Sequence, residues 1–365
     1  MPKICKDFTY EGKKLSDFNL IMVDFDESTD IVLAMNREII RGESTKYRSI
    51  QNHLGTKYSE NLEFEIHLMK DPCVVDTEYH KYELSREELQ EISRWLTSTH
   101  YPSRLEFEYE TSQIQDIHYC GLFSKIESYA NGDVLMGLRL TFTNDSSFGY
   151  SNETVNTETL NSGQKSITIN NNSDLLQDYL YPQISLKSTA KEQVYICNLS
   201  DCEILKESTL TLGANNTATF DTLVDKVDEY ALSKGYTSHY TYPSGSNFIE
   251  SIANHTALQV RFTSVWGDEL KCMAFYNETT GDYKIIQGGF MFLELKAHLP
   301  VVIDCQLHTI TDEIGRLIHF YDMGVSDVDY MYWTRFISGD NNIVCYGNNS
   351  EITFKRTELR KVGAV

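Results

Sequence analysis

The sequence has 365 residues, of which 41% are hydrophobic and 12% aromatic, enough for two or three folded domains. Its formal net charge is −21, and the clustered lysine and arginine that specific nucleic-acid binding needs are missing. This excludes a DNA-binding protein but permits a conduit through which DNA slides. No apolar run could span a bilayer and the N-terminal segment has no hydrophobic signal core. We therefore predict no membrane insertion, and synthesis and folding in a cytoplasm.

The first 150 residues alternate strand-like runs with one helix. Residues 62–68 place apolar side chains at every second position, which predicts a strand buried on one side, and residues 105–109 repeat the pattern. A helix is predicted from Ser85 to Thr97, because Ser85 and Glu88 form a capping box. A strand over residues 134–142 then ends in a stretch rich in Ser, Asn and Thr. Its last part, residues 151–165, is predicted to be a linker.

The rest of the chain has the short strands and turns of a β-sandwich in residues 166–206 and again in residues 301–365. Between them, residues 207–300 carry an amphipathic helix at residues 219–234 that ends at Gly235. Strands follow at residues 257–263, 269–276 and 283–295. The simplest interpretation is an α+β unit inserted into a loop of the sandwich. The predicted fold class is mainly β.

The eight cysteines are predicted to be reduced. Most stand singly within apolar, strand-like runs, as Cys197, Cys272 and Cys305 do. Thiols in such runs act as small hydrophobic side chains, and a cytoplasm keeps them reduced.

Several residues could carry chemistry, but each has a plainer explanation. Glutamates alternate along two predicted strands, and paired carboxyls suit a glycosidase, although such strands are more often solvated or interface surfaces. The candidate metal ligands lack the two tight ligand pairs of a zinc site. Gly288 and Gly289 suggest a strand bulge rather than a phosphate loop. We therefore predict no catalytic, cofactor or metal site. The residues weighed are Glu63, Glu65, Glu106, Glu108 and Glu110 for catalysis, and Cys197, Cys202, His298, Cys305 and His308 for metal.

Aromatic side chains in the inserted region could instead stack on sugar rings or contact a partner protein. Sandwich cores contain as many aromatic residues, so the pattern fits either role. The candidate contacts are Tyr236, Tyr240, Tyr242 and Trp266, with His239 and Tyr276 nearby in sequence.

The order of motifs in the first 150 residues resembles the N-terminal domain of the distal tail protein family of long-tailed, siphophage-type bacteriophages. The motifs are FTYEGKKLSDFNLIMVDFD, REIIRGESTKYRS, a helix ending in W-L-x-S and followed by YP-x-x-L, and HYCGLFSKIESYANGDVLMGLRLTFTNDSSFGYS. NNSDLLQDYLYPQISL, ICNLSD and the segment from WTRFISG onward resemble that family's galectin-like sandwich. The resemblance covers residues 1–206 and 301–365 and leaves out residues 207–300.

The resemblance implies a β-sandwich-like, ring-forming domain with one helix, followed by a galectin-like β-sandwich. Six copies would form a homo-hexameric ring at the virion's tail tip, between the tail tube protein and a tail-associated fibre or lysin protein. Receptor-binding or baseplate proteins would dock outside, and the protein would be no enzyme. A carbohydrate-binding adhesin of the tail, usually trimeric, is the alternative, so a hexameric mass separates the two hypotheses.

Overall fold

The computed structural model describes most of the chain and divides it into two compact units. The described residues are 5–23, 37–42, 52–58, 61–73, 83–109, 117–161, 163–176, 178–209, 216–237, 257–264, 267, 269–277, 282–323 and 331–361. The first unit comprises Met1–Asn152 and Glu358–Val365, and the second comprises Glu153–Thr357. No helix in the described ranges is both long and apolar enough to cross a membrane.

The first unit is built on one large antiparallel sheet. Its strands are β1 (Cys5–Tyr10), β2 (Lys13–Lys14), β3 (Leu20–Met22), β6 (Glu63–Lys70), β7 (Ser103–Tyr109), β8 (Ile117–Asn131), β9 (Val134–Asn144) and β10 (Gly149–Ser151). Two further strands, β4 (Arg37–Arg41) and β5 (His53–Tyr58), form a separate hairpin. The sheet order is β2-β1-β7-β8-β9-β6-β3, with β10 paired to β8. A short 3-10 helix, Leu15–Phe18, follows β2.

The helix predicted in this unit is confirmed as α1 (Arg86–Leu96). Ser85 caps it as the sequence indicates, because its hydroxyl accepts from the Glu88 amide at 3.2 Å and the Glu88 carboxylate accepts from the Ser85 amide at 2.8 Å. These two hydrogen bonds satisfy amides that the first helical turn leaves without partners. The buried stripe of α1 comprises Ile92, Trp95 and Leu96.

Strands β11 to β24 form three sheets in the second unit. They are β11 (Thr154–Leu160), β12 (Gln164–Asn171), β13 (Gln183–Ser188), β14 (Glu192–Asn198), β15 (Glu203–Thr209), β16 (Tyr236–Thr237), β17 (Ala257–Ser264), β18 (Glu269–Asn277), β19 (Asp282–Gln287), β20 (Phe290–Leu295), β21 (Val301–Asp304), β22 (Thr309–Asp312), β23 (Gly339–Tyr346) and β24 (Ser350–Arg356). The helices are α2 (Asn216–Ser233) and a 3-10 helix, Phe320–Met323. The last strand, β25 (Leu359–Arg360), belongs to the first unit, where it pairs with β10.

Two of the three sheets form the sandwich. The five-stranded sandwich sheet has the order β11-β24-β13-β21-β22, and the four-stranded sandwich sheet has the order β12-β23-β14-β20. Alternate residues of both sheets share one buried core, in which Ile184 and Phe354 come from the first sheet and Ile196 and Leu293 from the second. This mainly β architecture confirms the predicted fold class.

The predicted linker, residues 151–165, contains a strand, which corrects the sequence interpretation. β11 pairs residue by residue with β24, from Thr154 opposite Arg356 to Leu160 opposite Ser350. It is an edge strand with a solvated face, and Leu160 is its one residue in the sandwich core. An edge strand of this kind needs little apolar sequence, so its polar composition imitates a linker.

The third sheet, here called the insert sheet, has the order β15-β19-β18-β17-β16. It packs with α2 and with the outer face of the four-stranded sandwich sheet in one buried cluster. That outer face contributes aromatic and aliphatic side chains, namely Tyr195, Cys197, Phe290, Phe292, Val344 and Tyr346. The inserted region and the sandwich therefore share one buried cluster.

The predicted strand over residues 283–295 is two strands in two different sheets. β19 belongs to the insert sheet and β20 pairs with β14 in the sandwich. Gly288 and Gly289 form the turn between them, with φ of +73° and +70°. A Cβ on Gly289 would lie 2.7 Å from the Asn198 carbonyl oxygen. The glycines thus mark a change of sheet instead of a bulge, because this turn needs positive φ and close backbone approach.

Candidate functional site

Trp95 of α1 fixes which face of the first unit's sheet is buried. Its ring stacks on Phe18 with centroids 4.4 Å apart and on Phe8 with centroids 5.7 Å apart. Its indole nitrogen also donates to the Tyr10 carbonyl at 2.9 Å. The apolar side chains of β1 and β6 to β9 therefore point toward the helix. The other face of the sheet is left to polar side chains, as strand alternation requires.

That polar face carries the glutamates singled out in the sequence, and we call Glu63, Glu65, Glu106 and Glu108 the glutamate face. The Glu106 and Glu108 side chains are 44% and 48% exposed and form ion pairs with Arg104 and Lys14. Glu65 lies 3.7 Å from Arg139, and Glu63 accepts from the Thr143 hydroxyl at 3.1 Å. Solvated, paired carboxylates of this kind suit binding through charge, whereas a general acid needs a desolvated carboxyl. Glu110 lies outside the described residues.

A second surface, the β4–β5 hairpin, was not predicted as a site. Its strands pair with each other in a sheet of their own. Ile39, Ile40 and Leu54 are 45%, 38% and 64% exposed. Tyr58, at the end of β5, packs edge-on against Phe148 with centroids 4.6 Å apart. In the sequence, the segment REIIR has an apolar pair flanked by charged residues, a pattern that indicates a strand. The pattern does not indicate that the two isoleucine side chains are exposed.

Two consecutive segments of the chain match models of known protein families. Residues 3–146 match a family of phage tail protein N-terminal domains. Residues 148–259 match the corresponding phage tail C-terminal domain. The chain belongs to a family of phage tail proteins. No curated protein matches this tail protein in sequence.

Solved structures show which fold the tail protein has. The Dit protein of phage SPP1, described as a paradigm of the hub adsorption apparatus in phages infecting Gram-positive bacteria, aligns with a TM-score of 0.50 at 10% identity. That alignment covers 97% of this chain and 99% of the SPP1 chain. A chain of the phage P2 baseplate in its activated conformation aligns with a TM-score of 0.41 at 9% identity, over 97% and 98% of the two chains. The resemblance to distal tail proteins is confirmed by the family match and the SPP1 fold.

A histidine of the tail protein is buried beside the polar face. His118 of β8 is 7% exposed and packs near Tyr150 of β10, with ring centroids 5.8 Å apart. Its Nδ1 has no hydrogen-bond partner within the described part of the chain. Burial, reinforced by the positive charge of Arg104 and only partly opposed by Glu106, lowers the pKa of His118 to about 4. The neutral imidazole is thus the form that the folded unit accepts.

We predict that acid destabilises the first unit through His118. Because the folded pKa lies below the unfolded value of about 6.5, the unfolded chain binds the extra proton. The stabilisation is full above pH 6.5 and is lost as the pH falls toward 4, by up to about 3 kcal/mol. Chemical denaturation between pH 7 and pH 4.5 measures this loss. His118→Gln should flatten the profile, whereas the exposed control His100→Gln should not. A steep profile in His118→Gln would contradict the assignment.

The predicted sugar or partner contacts are only partly visible. Tyr236 begins β16 and packs, half-buried, against the cluster under the insert sheet. Tyr240, Tyr242 and Trp266 lie outside the described residues, as does His239. Tyr276 is buried in the same cluster and does not present its ring to solvent. Tyr236 and Tyr276 therefore lie in the same hydrophobic cluster, where both contribute to packing.

The cysteines and candidate metal ligands take part in packing. Cys197, Cys272 and Cys305 are buried, as predicted, and burial raises the pKa of each thiol, that of Cys272 to about 12. His308 stacks on Trp333 with centroids 4.9 Å apart. Within the described ranges, no three His, Cys, Asp or Glu side chains lie close enough to hold a metal ion.

Proposed function

We propose that this tail protein is a structural hub of the tail tip, forming a hexameric ring around the DNA channel. It would join the tail tube to the baseplate or receptor-binding apparatus, and it would catalyse no reaction. Support comes from the phage tail family and from the fold shared with the SPP1 Dit protein, which is described as a hub. The net charge of −21 suits a channel that must not hold DNA.

The observation that carries the ring proposal is the uncovered β4–β5 hairpin. An isolated two-stranded hairpin is at best marginally stable in water. This one also exposes Ile39, Ile40 and Leu54. Exposed apolar side chains grouped on one element are typical of a protein–protein interface. A neighbouring copy that packs around both faces of the hairpin would bury those side chains and fix the two strands.

Charge indicates which surface of the neighbour the hairpin would meet. Arg41 and Lys57 make the hairpin basic, with Glu38 partly neutralising it through a 3.1 Å ion pair to Lys57. The glutamate face offers half-exposed carboxylates on the same unit, which could exchange their cations Lys14 and Arg104 for those of the hairpin. Hairpin against glutamate face is a heterologous contact, in which different patches meet, and such contacts close into rings when the rotation permits.

The test replaces apolar side chains of the hairpin. Ile39→Asp combined with Leu54→Asp should convert the hexamer into folded monomers, because both side chains are exposed in the single chain and lie outside its core. Size-exclusion chromatography with light scattering measures the mass, alone and with the tail tube protein added. Leu176→Asp, which alters a side chain that is 73% exposed in the second unit, is the matched control and should remain hexameric. A wild-type monomer in both settings, or a double variant that still forms hexamers, refutes the proposal.

The rival functions have their own readouts. Tyr236, Tyr240, Tyr242 and Trp266 remain proposed contacts for a sugar or a partner protein. A trimeric mass together with binding to host polysaccharide would favour the adhesin. Hydrolysis of cell-wall polysaccharide that is abolished by Glu106→Gln and Glu108→Gln, with the ring still forming, would favour an enzyme.

A further inference from the structure

Four large apolar side chains of the second unit are largely exposed to solvent and lie close together in sequence. Leu307, Ile314, Leu317 and Tyr321 are 71%, 74%, 72% and 83% exposed. Leu307 lies in the turn between β21 and β22, and the other three follow β22. β22 is the last strand of the five-stranded sandwich sheet. Leu317 therefore lies beside β22, and Leu307 and Ile314 lie in the turns at its two ends.

The chain after β22 turns back and runs beside it. The Asp312 amide donates to the Arg316 carbonyl at 2.9 Å, and the Ile318 amide donates to the Ile310 carbonyl at 2.8 Å. Leu317 faces Thr311 between these two bonds, in an isolated antiparallel bridge. In an antiparallel ladder a pair in that position makes no mutual hydrogen bonds. The amide and carbonyl of Leu317 therefore point away from β22, toward the side on which no described strand lies.

Natural proteins protect open sheet edges with charge, proline or a cover, because a bare edge pairs with other chains. Residues 316–319, here called the free edge, have little such protection. Leu317 at its centre is apolar and exposed. Its neighbour in sequence, the cation Arg316, is bound to the Asp312 carboxylate at 2.7 Å. A main-chain donor, a main-chain acceptor and an apolar side chain are thus presented at one point.

The charges around the free edge indicate the chemistry of an occupant. Glu313 neighbours Ile314, Asp322 neighbours Tyr321, and Asp304 caps the turn that holds Leu307. Lys296, 3.7 Å from Asp322, and Arg316 partly offset these charges. A second copy of this chain would bring the same acidic edge, so like charges would oppose the pairing of two free edges. A basic partner is favoured.

We propose that the free edge binds one extended segment of a different tail protein, which adds to the five-stranded sandwich sheet as a further strand. The segment carries apolar residues alternating with lysine or arginine. Its main chain pairs with Leu317, its apolar side chains cover Leu317 and Tyr321, and its cations face Glu313 and Asp322. This inference rests on the proposed assembly of the chain into a tail tip.

Photo-cross-linking in complete tails tests the docking. A photoreactive phenylalanine analogue in place of Tyr321 should cross-link to a different tail protein, through a peptide rich in lysine or arginine. The same analogue at Leu176, which is 73% exposed in the turn region between β12 and β13, is the control and should not give that product. Leu317→Pro removes the outward donor and Leu317→Lys adds repulsion, so each should lower the cross-link yield about tenfold.

The outcomes separate this inference from the ring proposal. Both Leu317 variants should keep the wild-type melting temperature and hexameric mass, because Leu317 donates no hydrogen bond to β22. Cross-linking only to a second copy of this chain, no cross-link in complete tails, or a yield that neither variant changes would each overturn the docking proposal. A wild-type protein that forms no hexamer would instead overturn the ring proposal.

Discussion

Replacing residues 203–287 with a short Gly/Ser linker is expected to leave the tail protein insoluble. The replacement removes the insert sheet and α2, and so uncovers Tyr195, Phe290, Phe292 and Tyr346 on the four-stranded sandwich sheet. A buried aromatic side chain covers roughly 150–250 Å². At roughly 25 cal/mol/Å², uncovering about half of each costs on the order of 10 kcal/mol. That is comparable to the whole stability of a domain.

The soluble fraction after expression and the thermal unfolding of any soluble protein measure this effect. A matched variant carries the same replacement together with Tyr195→Thr, Phe290→Thr, Phe292→Ser and Tyr346→Thr, which make the uncovered face polar. It should recover solubility, because the sandwich core of Ile184, Ile196, Leu293 and Phe354 is left intact. A simple linker variant with the wild-type melting temperature would show that the insert sheet folds independently of the sandwich.

Gly121→Ala is expected to destabilise the first unit by about 3 kcal/mol or more. Gly121 lies in β8 opposite Asn144 of β9. A Cβ there would lie 2.2 Å from the Thr143 carbonyl oxygen and 2.8 Å from the Asn144 Cα. Both are backbone atoms held in the centre of the sheet, so they cannot move away without breaking the β8–β9 pairing. Calorimetry should show a melting temperature lower by roughly 10 °C.

Gly42→Ala is the control for the lost glycine entropy. At Gly42 a Cβ would meet its nearest atom, the Asn52 Cβ, at an ordinary 3.5 Å. The control should stay within about 0.5 kcal/mol of the wild type. Equal melting temperatures for Gly121→Ala and the wild type would mean that β8 and β9 are spaced more widely than the structure indicates.

Features that depend on neighbours along the chain could be predicted from the sequence. The capping box of Ser85 and Glu88 starts α1 because its hydrogen bonds span three residues. The alternation in β6 places Ile66 inward and Glu65 outward because successive strand residues point to opposite faces. The glutamate face was predictable for the same reason. The motif order in the first 150 residues was specific enough to indicate the tail protein family.

What lies against each face depends on the tertiary structure. The run VYIC of β14 is apolar on both sides, and the sequence cannot say that Ile196 meets the sandwich sheet while Tyr195 meets the insert sheet. β11 looks like a linker because its partner, β24, lies about two hundred residues away in the chain. His118 looks like any polar strand residue until β10 covers it. Exposure and burial depend on contacts between distant segments, so local composition leaves them open.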